Sequence, residues 1–147
     1  IQEDSMLIPG TNGGKMSKSA NNVINIFLDD KALRKQIMSI ETDSTPLEDP
    51  KNPETCNAFA IYKLLASESE IEIMKANYLG GNYGYGHAKQ ALFELIVEKF
   101  KTERAQYNYY MNNLTEVDEL LRKGAQKASS VANGVLAKVR AKLGFEN

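Results

Sequence analysis

From Val23 onward apolar residues recur with a helical period, whereas the first 22 residues show no such pattern. Within those 22, Leu7-Ile8 is the one extended-looking pair and Pro9-Gly10 marks a turn. Asp29-Asp30 precede a segment, Lys31 to Ile40, in which Leu33, Ile37 and Ile40 share a face. Acidic residues there complement the positive end of a helix dipole. Thr42-Asp43-Ser44-Thr45-Pro46, followed by Pro50 and Pro53, predicts a loop over 41–53, because proline cannot continue a helix. Glu54 to Ala66 then carries Ala58, Phe59, Ile61, Tyr62 and Leu65 at helical spacing. Ser67 or Ser69 is placed to cap the next helix, which runs to about Leu79 and stops at Gly80-Gly81. After the glycine-rich stretch Gly80–Gly86, a long helix is predicted from about His87 to Asn112, with Leu92, Ile96, Phe100 and Tyr107 on one buried stripe. Thr115, with Asp118 in capping-box position, opens a last helix that reaches about Leu143 before Gly144. The expected fold is all-α: a helical bundle behind a short non-helical segment.

Composition narrows the class. A chain of 147 residues can bury one sizeable core, and 42% hydrophobic with 25% charged residues is ordinary for a globular protein. No apolar run approaches a membrane span, and the polar start Ile1-Gln2-Glu3-Asp4 does not read as a signal peptide. The chain opens without Met and is expected to be a fragment. Net charge is −1, so any binding of nucleic acid must come from local patches. The single cysteine, Cys56, excludes an internal disulfide and a cysteine zinc cluster; its apolar neighbours predict a buried structural thiol.

Candidate chemistry is concentrated in Gly14-Lys15-Met16-Ser17-Lys18-Ser19. Two lysines three residues apart, with two hydroxyls and Gly13-Gly14 before them, make a mobile cationic loop suited to a polyphosphate. When an adenylyl group moves to a carboxylate, pyrophosphate leaves and negative charge builds on the departing phosphates. Cations placed at that charge accelerate the step more than cations that merely bind the ground state. Lys15 and Lys18 can reach separate phosphates, while Ser17 and Ser19 donate hydrogen bonds. Asn21-Asn22 are placed to cap whatever helix follows. On composition alone, the same stretch is an ordinary solvated loop.

The literal order Lys15-Met16-Ser17-Lys18-Ser19 resembles the second signature of class I aminoacyl-tRNA synthetases. The run Leu7 to Ser19 resembles the approach to that loop in bacterial tryptophanyl-tRNA synthetases. Thr42-Asp43-Ser44, Gly84-Tyr85-Gly86-His87-Ala88-Lys89, Gly124-Ala125-Gln126-Lys127-Ala128 and the terminal Gly144-Phe145 are similar to further patterns of the same family. The likeness covers essentially the whole chain and favours the tryptophan enzymes over their tyrosine relatives. Ala20-Asn21-Asn22 departs from relatives that place Tyr or Asp after the motif.

The resemblance implies an ATP- and Mg2+-dependent ligase that activates tryptophan and esterifies tRNA(Trp), working as a cytoplasmic homodimer. It implies that Lys15 and Lys18 hold phosphates and act catalytically. Met16, Ser17 and Ser19 complete the nucleotide loop, with the backbone near Met16 approaching adenine; no residue is implied as a metal ligand. Residues 1–22 would close the catalytic domain, and 23–147 would form the helical anticodon-binding domain. Lys101, Arg104, Tyr107, Tyr109 and Tyr110 offer cations and planes for RNA, as do Arg122, Lys123 and Lys127, although core and solvated-face roles compete for both sets. The family's first signature, with its paired histidines, is missing. The single histidine, His87, reads as a helix-start residue, and Gly80–Gly86 reads as a turn. The chain alone is therefore expected to be inactive. A free-standing helical RNA-binding module descended from such an enzyme is the alternative.

Overall fold

The computed structural model describes residues 7–145; the first six residues of the expected non-helical segment and the last two of the chain lie outside it. Among the described residues the regular elements are helices, and the sole β pairing is an isolated antiparallel bridge between Pro9 and Lys15. The helices are α1 Asp30–Met38, α2 Asn57–Leu65, α3 Glu68–Gly80, α4 Tyr85–Lys99, α5 Lys101–Asn112 and α6 Leu114–Leu143, with a 3-10 turn at Pro53–Thr55. The chain divides into two compact units, 1–104 and 105–147.

In the first unit, α1 and α3 start where a side chain satisfies the free amides. Asp29 accepts from the Ala32 amide at 2.9 Å to open α1. Ser67 and Glu70 cap α3 reciprocally. The apolar faces of α1 and α2 both pack on α4. Leu33, Ile37, Ile40, Phe59, Leu92 and Ile96 are at most 2% exposed. Burying side chains of this size stabilises by about 1.5–3 kcal/mol each, which makes this layer the main source of the unit's stability. Tyr78 is fully buried at its centre, with its ring 5.7 Å from Phe59 and its hydroxyl 3.2 Å from the Cys56 sulfur. Burial, reinforced by that thiol, pushes the Tyr78 hydroxyl strongly upward. Cys56, 5% exposed, is the structural thiol the sequence predicted.

The loop 41–53 is locked by a buried lysine. Lys51 is 3% exposed, and its ammonium donates to the carbonyls of Pro46, Leu47 and Asp49 at 2.7–3.2 Å. A buried cation persists only when its donors are satisfied, and here main-chain oxygens do so. Gly81, at φ 72°, lies under this loop: a β-carbon there would sit 2.4 Å from the Glu48 carbonyl oxygen. The glycine is required on both counts.

Three expectations need correction. The long helix predicted over 87–112 is broken at Phe100, whose backbone leaves the helical region (φ −104°, ψ 20°) while its ring packs on the core. Tyr107 is 40% exposed and does not continue the buried stripe, because α5 buries none of its residues. Asn113, not Thr115, stands before the last helix, and no side chain caps that end.

The second unit is different in kind. Its main element, α6, runs for 30 residues, none of them buried. Tyr109 donates to the Glu116 carboxylate at 2.7 Å, and the Asn113 side-chain Nδ2 donates to the Tyr109 carbonyl. At the far end Gly144 adopts the left-handed conformation (φ 75°). Its amide and that of Phe145 donate to Ala141 and Arg140, closing the helix.

Candidate functional site

The lysine–serine segment is folded on a small hydrogen-bonded frame. The Gly10 amide donates to Gly14 O at 2.7 Å and the Met16 amide to Ile8 O at 2.8 Å, so the chain doubles back through a tight turn. Gly13 takes φ 76° in that turn, a conformation that disfavours any β-carbon. After Met16 the backbone curls again: the Ala20 amide donates to the Ser17 hydroxyl at 3.2 Å and the Asn21 amide to Lys18 O at 3.1 Å. Asn21 itself has φ 51°, which asparagine tolerates better than most residues.

Asn22 sits inside this curl at 2% exposure. Its side-chain nitrogen donates to Lys15 O and Asn12 Oδ1 at 3.0 and 2.7 Å, and its Oδ1 accepts from the Ser17 amide at 2.8 Å. The expected capping role is thus corrected, since Asp29 opens the following helix. Sequence reasoning named Asn22 but missed this role, because burial, which gives the residue its meaning, leaves no mark on a polar loop.

Lys15, Lys18 and Ser19 are exposed, and Met16 and Ser17 are half-buried. Among the described residues no carboxylate pairs with either lysine. The Ser17 and Ser19 hydroxyls stand 3.3 Å apart. Two exposed ammonium groups and two hydroxyls on one turn fit an anionic polyphosphate. Met16 lines an apolar groove of about 360 Å³ together with Ile24, Ile61, Leu64, Leu65 and Ile96. Among the described residues no three His, Cys, Asp or Glu side chains gather as a metal site.

Two of the other motifs meet each other. Asp43 accepts from the Tyr85 hydroxyl at 2.7 Å and from the Thr45 amide at 2.9 Å, joining the Thr42–Ser44 and Gly84–Lys89 motifs. Hydrogen bonds from Thr45 and Tyr85 hold the Asp43 carboxyl below its ordinary range. Burial, then the bond to Asp43, pushes Tyr85 up to about 12. Lys89 is 9% exposed and donates to Met38 O at the end of α1; burial pulls its ammonium down. His87 accepts from the Gly84 amide at 3.3 Å in the first turn of α4, as a helix-start residue does.

The candidate RNA contacts separate by environment. Arg104 is held by Asp30 and Ile26 O, with its side chain 14% exposed, so it staples the first unit. Lys101 is exposed beside Glu98, Tyr109 is bonded to Glu116 and Tyr110 is half-buried. Arg122, Lys123 and Lys127 are exposed along α6.

The chain belongs to the class I tRNA synthetases of the tryptophan and tyrosine type: the family model described as tRNA synthetases class I (W and Y) matches residues 2–101. It is 44% identical to the tryptophan–tRNA ligase of Fusobacterium nucleatum over 145 residues, covering 99% of this chain and 44% of that protein. The tryptophan–tRNA ligase of Campylobacter jejuni is likewise 44% identical, over 46% of its length. A solved structure of tryptophanyl-tRNA synthetase from Campylobacter jejuni, complexed with ADP and tryptophan, superposes with a TM-score of 0.91 at 44% identity, covering 97% of this chain and 44% of that one. The chain thus spans less than half the length of the curated relatives it matches. No described helix is long and apolar enough to cross a membrane.

Proposed function

We propose that this chain supplies the phosphate-binding loop and the tRNA-recognising helices of a tryptophan–tRNA ligase. Residues 1–22 act with a nucleotide-binding catalytic domain elsewhere in the full-length polypeptide, and 23–147 form the part that recognises the tRNA(Trp) anticodon. ATP, used together with Mg2+, supplies the adenylyl group that activates the tryptophan carboxylate. Lys15 and Lys18 hold the phosphates and oppose the charge that develops on them as the bond to the adenylyl group breaks. Ser17 and Ser19 orient the same oxygens, and the backbone at Met16 lies against adenine. The full-length enzyme is a cytoplasmic homodimer, and this chain alone is inactive.

The observation that carries this function is the pair of exposed lysines, unpaired with any described carboxylate, on a turn whose backbone is hydrogen-bonded from beneath. In the full-length polypeptide, Lys18→Ala should lower tryptophan-dependent ATP–pyrophosphate exchange by about a hundredfold, the scale of losing one preorganised charge contact. Unchanged exchange would refute the role given to the loop.

A further inference from the structure

We propose that Asn22 is a positioning residue for the phosphate-binding turn: its buried carboxamide fixes the backbone from Lys15 to Ser17 and thereby aims Lys15 and Lys18. The proposal rests on the function proposed above.

The two loop contacts of the carboxamide straddle Met16. On one side Asn22 Nδ2 donates to Lys15 O at 3.0 Å, and on the other its Oδ1 accepts from the Ser17 amide at 2.8 Å. The remaining amide hydrogen goes to Asn12 Oδ1 at 2.7 Å. A carbonyl can only accept and an amide N–H can only donate, so a single orientation of the carboxamide satisfies all three. The Asn22 carbonyl also accepts from the Thr11 amide at 2.9 Å, tying the Gly10–Gly14 turn to the same residue. Gly10 leaves the space this needs: a β-carbon there would lie 2.4 Å from Asn22 Cγ.

A side chain this buried, with every donor used, holds its partners to one geometry. The lysines lie on the surface of that frame, and a small displacement of a positioned charge costs much in the transition state. Aspartate is the discriminating replacement. It keeps the shape and the acceptor for Ser17, but turns both donors into acceptors facing Lys15 O and Asn12 Oδ1.

In the full-length polypeptide, Asn22→Asp should lower kcat for tryptophan-dependent ATP–pyrophosphate exchange by about tenfold or more. KM for tryptophan should stay within about twofold, since the residue acts on the turn and not on the amino-acid pocket. Without nucleotide, hydrogen exchange in the peptide spanning 14–20 should accelerate, with thermal stability retained. Lys15→Ala and Lys18→Ala are run beside it. Survival of exchange activity in both would refute the phosphate-binding function itself. Loss in both, with wild-type kcat and wild-type amide protection in Asn22→Asp, would overturn the assignment of Asn22 alone. If Asn22→Asp fails to fold, Asn12→Ala decides: kcat about threefold lower with faster loop exchange supports the assignment, and wild-type values for both overturn it.

Discussion

In α4 the apolar positions Ala88, Leu92 and Ile96 are 3%, 0% and 2% exposed, whereas in α6 Leu121, Val131 and Leu143 are 66%, 67% and 68% exposed. Both helices repeat apolar residues with the same period, and both form. The difference shows what the period encodes. It fixes that a segment is helical and which side is apolar, but it does not say whether the same chain supplies a cover for that side. In α4 the cover is α1 and α2.

Truncation tests this contrast most strongly. Leu92→Ala should destabilise the chain by about 2–5 kcal/mol in denaturant unfolding, through lost burial and the cavity left behind. Leu121→Ala should stay within about 0.5 kcal/mol. Equal losses would break the comparison, because they would mean that the α6 face is covered in solution.

Glycine replacement gives an intermediate effect with opposite signs in the two regions. Gly81→Ala forces a β-carbon against the Glu48 carbonyl at positive φ and should cost more than about 1 kcal/mol. Gly124→Ala meets nothing within 4 Å and should stabilise α6 by up to about 1 kcal/mol. Thermal melts of the two variants should move in opposite directions.

Acid gives the smallest effect, confined to the first unit. The Asp43 carboxyl is lowered in the folded state by Thr45 and Tyr85. Its contribution is therefore full above the unfolded value, about 3.9, and is lost as pH falls through the lower folded value. Asp43 is exposed, so solvent screening keeps this contribution small. In Asp43→Asn the fall of stability below about pH 4 should be shallower than in the parent chain. An unaltered acid limb would show that the Tyr85–Asp43 contact carries no stability.

Much of the architecture was legible in the residues themselves. Asp29, Ser67, Gly81 and Gly144 act through local geometry, and each marks a helix end near its sequence-predicted place. The break at Phe100 was not legible, since the apolar period runs through it; its ring packs on the core and Arg104 beyond it reaches Ile26 and Asp30. Lys15 and Lys18 could be read as a site because two cations flanked by hydroxyls carry a chemical meaning of their own. Asn22 and Lys51 could not, because their roles consist largely of bonds to main-chain atoms, which the folded backbone alone brings near. The joining of Asp43 to Tyr85, 42 residues apart, likewise needed the fold.

The closure of α6 at Gly144 also governs what can be attached beyond it. With two amides folded back on Ala141 and Arg140, the helical hydrogen-bond ladder stops at Gly144 and is not handed on to a segment fused beyond it. A rigid helical fusion, of the kind used to hold a reporter at fixed distance, would first require replacing Gly144 with a helix-forming residue. A flexible tag attached there would leave the last turn of α6 intact.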